Sequence, residues 1–245
     1  TRAGLQNNNR RFNLLGDPTL RVGFPARRVV IEAINGQPPS NEQPVPVRAL
    51  ERVTISGYVQ NATGAIDATF AGLATLTVFD AERQKPLPYW RYMPAPYYLV
   101  REDLIWRGQV DVRNGRFEAT FVVPKDILYS NQRGRLSVYA QSSAMHAAGF
   151  TEGFVVGGTA ANIPDDQEGP EITLYLNDTT FVSGGLVPPN PKLLVFLYDA
   201  SGINTVGAGL GHELLLIIDG NEARAQNLSQ AFRSEPNSYQ RGRVE

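Results

Sequence analysis

An aromatic-rich segment at residues 88–100, PYWRYMPAPYYLV, has the most unusual side-chain chemistry in this sequence. Five aromatic side chains crowd into ten positions, namely Tyr89, Trp90, Tyr92, Tyr97 and Tyr98. Rings with polar tips can stack on sugars or anchor a protein partner at a low cost in conformational entropy. The alternative is that the segment, stiffened by its prolines, folds over a β-sheet core as a cap. The sequence leaves both the binding surface and the structural cap open.

The residues that catalysis would require are sparse. The chain has no cysteine, and its two histidines are His146 and His212. His146 follows Ser142 and Ser143, but a serine nucleophile needs a positioned base and a sharp Gly-x-Ser-x-Gly turn, which these serines lack. His212 ends the glycine-rich stretch GAGLGH, which predicts a tight loop between strands, because the helix of a dinucleotide site does not follow. We therefore predict no catalytic residue in this chain.

Acidic residues between positions 164 and 170 offer the one candidate metal site. Asp165, Asp166 and Glu168 could supply the hard oxygen ligands that calcium prefers. Carboxylates in a polar hinge between domains are more commonly solvated than bound to metal. We therefore expect no metal and no other cofactor, with calcium kept as the alternative.

The composition is that of a globular protein built from short strands. Apolar residues make up 42% of the 245 residues and charged residues 19%. A net charge of −1 gives no basic footprint, so we expect no nucleic-acid partner. The longest apolar runs, LLVFLY and LLLII, have the length of strands and fall far short of the roughly 20 residues that span a bilayer. The 23 glycines and 17 prolines favour many turns over long helices.

Alternating apolar residues predict several strands before residue 163. These runs lie at residues 29–34, 52–60, 73–80, 134–141 and 149–158. The polar, proline-rich stretch at 35–46 should form no regular structure, and the stretch at 124–128 should form one helical turn at best.

The sequence IWRGQVDVRNGRFEATFVVP at residues 105–124 gives the clearest local signal. Two alternating runs flank Asn114 and Gly115. Asn-Gly is the favoured pair for a two-residue type I′ turn, because both positions need a positive φ. We therefore predict a β-hairpin that turns at this pair.

A second unit begins after the acidic hinge. The strand EITLYLN is followed by KLLVFLYD at 192–199, which is apolar on both faces and therefore central, and ELLLIIDG predicts another buried strand. The last 25 residues are polar and weakly patterned, so this unit should be incomplete at its C-terminal side. The fold class predicted is all-β, with tandem immunoglobulin-like β-sandwiches at residues 27–163 and 168–245.

Residues 7–22, NNNRRFNLLGDPTLRV, resemble the end of the caspase-like catalytic domain in gingipain-type cysteine peptidases. The likeness continues in order through VTISGYV, VRNGRFEATFVVPKDI, GRLSVYA, GFVVGG, DDQEGPEITLYLND, FVSGG and DASGINTVGAGLGHELLLIIDG. It covers residues 7–220, is weakest at 89–98, and points in particular to the sortase of the type IX secretion system. The resemblance implies that residues 1–26 are the terminal strands of an α/β peptidase domain whose body lies upstream.

The resemblance also carries expectations about function. The family's sortase cleaves a C-terminal sorting domain from secreted cargo at the outer-membrane surface and attaches the cargo to a lipopolysaccharide anchor. Its catalytic cysteine has no counterpart here, and His146 and His212 take no role from it. The implied partners are the upstream peptidase domain and either secreted cargo or outer-membrane secretion components. The alternative is a cell-surface binding or assembly module, such as an adhesin or filament subunit, that self-associates through an exposed sheet edge.

Overall fold

The computed structural model of the chain describes residues 23, 25–87, 96–161, 168–204, 213–229 and 231–245. Strands account for 50% of these described residues and helix for 2%, so the all-β prediction is confirmed. The predicted end of a peptidase domain at residues 1–26 lies almost wholly outside the described residues.

Eighteen strands and one short 3₁₀ turn at Glu222–Arg224 make up the described structure. In chain order the strands are β1 Arg27–Ile34, β2 Val45–Ala49, β3 Arg52–Gln60, β4 Gly72–Phe79, β5 Arg83–Pro86, β6 Tyr97–Val100, β7 Leu104–Val112, β8 Arg116–Val122, β9 Gln132–Arg133, β10 Arg135–Gln141, β11 His146–Thr151, β12 Phe154–Thr159, β13 Glu171–Leu176, β14 Leu193–Tyr198, β15 Leu215–Leu216, β16 Gln226–Asn227, β17 Arg233–Ser234 and β18 Arg241–Val244.

Two sheets enclose one apolar core in the first part of the chain. The larger has the order β7-β4-β10-β11-β1-β3-β8, and the smaller has the order β2-β12-β9. Neighbouring strands are antiparallel except for the parallel pairs β1–β11 and β2–β12. Both sheets contribute to a single cluster whose largest fully buried members include Phe70, Phe121 and Phe154. This unit is therefore a sheet-on-sheet arrangement, and we call it the first sandwich.

The predicted turn at Asn114 and Gly115 is confirmed, but the predicted β-hairpin is not, because β7 and β8 pair with each other only at Arg113 and Arg116 beside the turn and otherwise pair with β4 and β3. Both residues have positive φ, 51° and 73°, as a type I′ turn requires. A Cβ at Gly115 would lie 2.4 Å from the carbonyl oxygen of Asp67, so glycine is needed for space as well as for its backbone conformation. The turn joins β7 and β8, which form opposite edges of the large sheet, and Trp106 on β7 stacks on Phe121 on β8 with ring centroids 4.6 Å apart. The large sheet therefore curls around the core until its two edges meet.

A smaller unit follows residue 168, and we call it the second unit. Its main sheet has the order β13-β14-β18-β17, and β15 pairs separately with β16. The predicted central position of the strand at 193–198 is confirmed, because β14 has a neighbour on each side. The buried cluster is small, with Val195, Leu197 and Val244 at its centre.

The prediction of a buried strand across ELLLIIDG is wrong. Only Leu215–Leu216 forms a strand, and Leu215 and Ile218 are 51% and 59% exposed. Pairing stops there because the chain turns at Asp219 and Gly220, both with positive φ. Among the described residues no second layer covers this apolar run, and within the run only Leu214 packs against the core of the second unit.

Other local predictions also need correction. β18 lies in the polar final stretch and pairs with β14. The strand is not evident from the sequence, because only Gly242 and Val244 turn towards the core while arginines alternate with them. β2 begins at Val45, two residues inside the stretch expected to be irregular. Residues 124–128 form no helical turn.

Candidate functional site

Of the predicted aromatic segment, residues 97–100 form the strand β6, which pairs with β5 in a β-hairpin. β5 and β6 pair antiparallel, with Lys85 opposite Tyr98 and Pro86 opposite Tyr97. The backbone N–H of Leu87 donates to the carbonyl oxygen of Pro96 over 2.9 Å and extends the pairing towards the tip. Tyr89, Trp90 and Tyr92 lie outside the described residues, so the structure locates only two of the five candidate rings.

The two located tyrosines project from opposite faces of the hairpin, because successive side chains in a strand alternate. Tyr97 shares one face with Leu99, and cross-strand pairing adds Gln84 and Pro86 to it. Tyr97 and Leu99 are 60% and 58% exposed, so this outer face presents apolar surface to solvent. Tyr98 lies on the other face with the two cationic side chains of β5.

Ion pairs tie the base of the hairpin to the turn that follows it. The guanidinium of Arg83 contacts Glu102 at 2.7 Å and Asp103 at 3.1 Å, and Lys85 also pairs with Glu102. The hydrogen bond from Lys85 and then the one from Arg83 lower the pKa of the Glu102 carboxyl. The hairpin is therefore fixed on this side by charge rather than by apolar packing.

A second set of ion pairs reaches across the first sandwich to the turn between β11 and β12. Arg101, just after β6, contacts Glu152 at 2.6 Å, and Arg135 on β10 contacts the same carboxylate at 3.4 Å. Arg101 also pairs with Glu82 at 3.4 Å. The hydrogen bond from Arg101, followed by the charges of both arginines, lowers the pKa of Glu152 despite an opposing effect of burial. We call Arg83, Lys85, Arg101, Glu102 and Glu152 the charge cluster.

The arrangement suits binding rather than catalysis. A ligand or partner would meet a small apolar strip, Tyr97 and Leu99, on a hairpin whose base is held by the charge cluster. A surface that is already ordered loses less conformational entropy on binding. None of these side chains forms the pair of nucleophile and base that covalent catalysis needs.

The other sequence candidates have ordinary surroundings. His146 Nδ1 lies 2.7 Å from the hydroxyl of Tyr139, and the two rings stack with centroids 5.8 Å apart. The Ser142 hydroxyl donates to the carbonyl oxygen of Met145 and so closes the turn before β11. The histidine is thus paired with a tyrosine on the neighbouring strand, not with a serine.

The acidic hinge and the second histidine are mostly outside the described residues, since only Glu168 of the candidate calcium ligands is described. Within the ranges that the structure describes, no group of three or more histidine and acidic side chains could hold a metal ion. The same ranges contain no helix that is long and apolar enough to cross a membrane.

The charge cluster is not apparent from the sequence. Its longest-range pair, Arg101 and Glu152, joins residues 51 positions apart, and no local pattern reports such a contact. The sequence also gives no sign of the role of Asp80, a buried carboxylate that accepts hydrogen bonds from the backbone N–H groups of Ala81 and Leu128. Burial raises the pKa of Asp80, although the two hydrogen bonds oppose that shift.

Comparison with known proteins gives a match to dimeric latent PorU from Porphyromonas gingivalis. The two chains are 35% identical, with a TM-score of 0.60, over 94% of this chain and 22% of that chain. A second match, the sporulation control protein Spo0M from Bacillus subtilis, is 10% identical over 81% of this chain and 76% of that one, and its TM-score of 0.31 supports no argument. No family model matches the chain, and neither does any curated protein. The first match confirms the resemblance drawn from the sequence.

Proposed function

This chain is a PorU-like region, and from that premise we propose that it is the non-catalytic β-sandwich part of a type IX secretion sortase. The chain spans 22% of the length of PorU, so the activity belongs to a larger protein. In our proposal that protein cleaves the C-terminal sorting domain of secreted cargo and attaches the cargo to a lipopolysaccharide anchor at the outer-membrane surface. Identity of 35% over 94% of this chain is the observation that carries the proposal.

The first role that we assign to this region is to brace the upstream peptidase domain. The first sandwich suits this role because its core is closed, with Phe70, Phe121 and Phe154 at most 1% exposed. A densely packed interior resists deformation and can hold a neighbouring domain in a fixed position. The absence of cysteine in the chain agrees with a supporting role in a family whose nucleophile is a cysteine.

The second role is to offer a surface to cargo or to a secretion component. The outer face of the β5–β6 hairpin supports this assignment, because Tyr97 and Leu99 are exposed while the charge cluster fixes the hairpin base. Exposed aromatic and aliphatic side chains on an ordered element are typical anchors of protein interfaces.

Site-specific photocrosslinking in the full-length protein, expressed in its own cells, tests the surface. A photoreactive phenylalanine replaces Leu99 in one variant and Phe150 in a control, since the two side chains are 58% and 59% exposed. We expect the Leu99 variant alone to give an adduct that mass spectrometry identifies as secreted cargo or an outer-membrane secretion component. Equal adducts at both positions, or none at Leu99, would contradict the assignment.

The bracing role is tested separately with the purified chain and the purified peptidase region. We expect the melting temperature of the peptidase region to rise when the chain is added in excess, because a partner that binds only the folded state stabilises it. An unchanged melting temperature at a saturating concentration of the chain would argue against bracing. It would not affect the interpretation of the crosslinking result.

One observation favours the alternative of self-association through a sheet edge. β13 forms an edge of its sheet, and Ile172 and Leu174 on that strand are more than half exposed. An apolar edge strand is a template for pairing with another chain. Size-exclusion chromatography over a hundredfold range of concentration decides the point, because assembly predicts a shift to larger species that Ile172→Lys abolishes.

A further inference from the structure

The connection between β13 and β14 presents aliphatic side chains to solvent. It comprises residues 177–192, and every residue from 182 to 192 is exposed. Leu186 is fully exposed and Val182 is 74% exposed, which are the two highest values among the large apolar side chains of the described residues. The connection therefore projects from the second unit instead of packing on it, and we call residues 178–191 the projecting loop.

The projecting loop is fixed at its base and in its turn. The backbone N–H of Asn177 donates to the carbonyl oxygen of Lys192 over 2.7 Å, and the N–H of Lys192 donates to Asn177 Oδ1 over 3.1 Å. Within the loop, the N–H of Gly185 donates to the carbonyl oxygen of Val182 over 2.9 Å. The exposed aliphatic side chains thus belong to an ordered hairpin connection with closed ends.

The composition of the projecting loop favours a lipid partner over a protein partner. From Thr179 to Pro191 the sequence TTFVSGGLVPPNP contains no charged residue. Protein interfaces rely on Trp, Tyr and Arg as anchors, whereas Leu and Val are under-represented among them. A specific protein interface also buries roughly 1,200–2,000 Å² in total, which needs many more side chains than one loop tip supplies. A lipid surface requires no complementary shape, so an uncharged aliphatic tip suits it.

Few backbone groups oppose the transfer of this tip into an apolar phase. A backbone N–H that loses water without gaining a partner carries a large free-energy cost. The prolines at positions 188, 189 and 191 have no N–H. The N–H groups of Phe181 and Gly185 already donate to carbonyl oxygens inside the loop. The cost of desolvating the backbone is therefore lower than in an ordinary polar loop of this length.

We propose that the projecting loop inserts Val182 and Leu186 into the boundary between headgroups and acyl chains of a lipid bilayer, and so holds the second unit at a membrane surface. The nearest cation at the loop base, Lys192, pairs with Glu245 at 3.0 Å, so the contact needs no anionic lipid. The loop is separate in sequence from the β5–β6 hairpin, and the proposal does not depend on the function proposed above.

A site-specific fluorescent label on the purified chain tests insertion. The chain has no cysteine, so Leu186→Cys gives a unique site for an environment-sensitive nitrobenzoxadiazole dye. Ser143→Cys, at an exposed turn position between β10 and β11, is the control. Phosphatidylcholine vesicles are titrated to about 10 mM lipid, because a few side chains insert less apolar surface than a single acyl chain, which itself binds only reversibly.

We expect the dye at position 186 to brighten and shift to the blue, and to be quenched by lipids brominated along the acyl chain. The dye at position 143 should not respond. An absent response at position 186, as expected if the tip docks on a protein instead, would overturn the proposal, and so would equal responses at both positions.

Variants separate insertion of the tip from general adsorption in vesicle flotation. Replacing both Val182 and Leu186 by serine should lower the partition coefficient at least about tenfold. Ile218→Ser, which removes a 59% exposed aliphatic side chain elsewhere in the second unit, should leave it unchanged. Thermal melts check that both variants are folded. Equal losses in the two variants would refute the proposal.

Salt gives an independent test of the same contact. Binding of the parent protein should be as strong at about 1 M salt as at about 0.1 M, because salt screens charge interactions and does not weaken apolar insertion. Binding that requires anionic phosphatidylglycerol in the vesicles, or that disappears at high salt, would identify electrostatic adsorption and would contradict the proposal.

Discussion

The first sandwich and the second unit use the same strand alternation but bury it to different extents. In the first sandwich the small sheet covers the large one, so side chains such as Phe121 and Phe154 are fully enclosed. In the second unit the register places Ile172 and Leu174 on the same face as Leu197 and Val195, yet the two β13 residues are 56% and 57% exposed. The difference shows that an apolar face becomes a core only where a second layer covers it.

In the second unit, side chains from other segments cover only part of the apolar face of the main sheet. Phe232, Leu228 and Ile203 pack against Val195 and Leu197, and they come from connecting segments rather than from a facing sheet. Segments of this kind cover the middle of the sheet and leave β13 open. We therefore expect the second unit to be the less stable of the two and to unfold without the first.

The largest effect is expected from Phe121→Ala. Phe121 is 1% exposed and stacks on Trp106, so its truncation removes buried area and leaves a cavity that rigid sheets cannot close. The free energy of unfolding of the first sandwich should fall by about 3–5 kcal/mol. Denaturant titration followed by hydrogen exchange in each unit measures it.

The control for this truncation is Phe121→Leu, which keeps most of the volume and should cost far less. Hydrogen exchange in β14 should remain as in the parent protein for both variants. Faster exchange there would contradict the idea that the two units unfold separately.

Leu197→Ala should produce the next largest effect, confined to the second unit. Leu197 is 3% exposed at the centre of the small cluster, so we expect a loss of about 2–3 kcal/mol in that unit alone. Ile172→Ala is the matched control, because Ile172 is the register partner of Leu197 on the same face but is exposed. If the control costs as much as Leu197→Ala, β13 is covered in solution and the comparison fails.

The parts of the fold that were predictable from sequence depend on near neighbours. Asn114 and Gly115 specify their turn through their own backbone preferences, and the alternation in β3 and β10 is visible within single strands. Burial was not predictable in the same way. The segment around Leu215 is as apolar as β14, but it lacks a layer above it, and no local pattern reports a missing layer.

The candidate site was predictable only in part. The aromatic residues were evident from composition, but the proline-rich sequence concealed the pairing of β5 with β6. The projection of Tyr97 and Tyr98 from opposite faces follows from that pairing. The contact of Arg101 with Glu152 depends on how the chain returns through the sheet, which is a property of the whole topology.

Asp80→Asn tests a polar contribution that distinguishes the first sandwich. Both buried carboxylates of the described residues, Asp67 and Asp80, belong to it. Asp80 accepts from Leu128 N–H over 2.8 Å, and an amide can offer only one oxygen to the two N–H groups that now share the carboxylate. We expect a loss of about 1–2 kcal/mol, with faster hydrogen exchange in residues 124–129.

Asp219→Asn is the matched control for that substitution, because Asp219 is exposed in the second unit at a positive φ that asparagine also adopts. The free energy of unfolding of the Asp219→Asn variant should equal that of the parent protein. A loss as large as that of Asp80→Asn would mean that burial of the carboxylate is not the cause.

The smallest expected effect concerns Glu152 and depends on pH. The arginines lower the pKa of Glu152 in the folded protein below its ordinary value of 4.5, so the ion pairs stabilise the first sandwich above that pH. The contribution is lost as the pH falls through the lowered pKa, because the folded state must then take up a proton that the unfolded chain already holds. At pH 7, Glu152→Gln should cost less than about 1 kcal/mol, since the side chain is partly exposed and screened.

The pH dependence gives this small effect its own signature. The raised pKa of Asp80 acts in the opposite direction, so only the difference between the parent protein and Glu152→Gln isolates Glu152. That difference should be constant above pH 5 and vanish below the lowered pKa. Glu118→Gln, which removes an exposed carboxylate on β8 outside the charge cluster, is the control for the loss of one negative charge. The second unit should titrate identically in the parent and in both variants. A difference that persists at low pH would mean that Glu152 acts through packing, and the charge cluster would then not be what fixes the β5–β6 hairpin to the first sandwich.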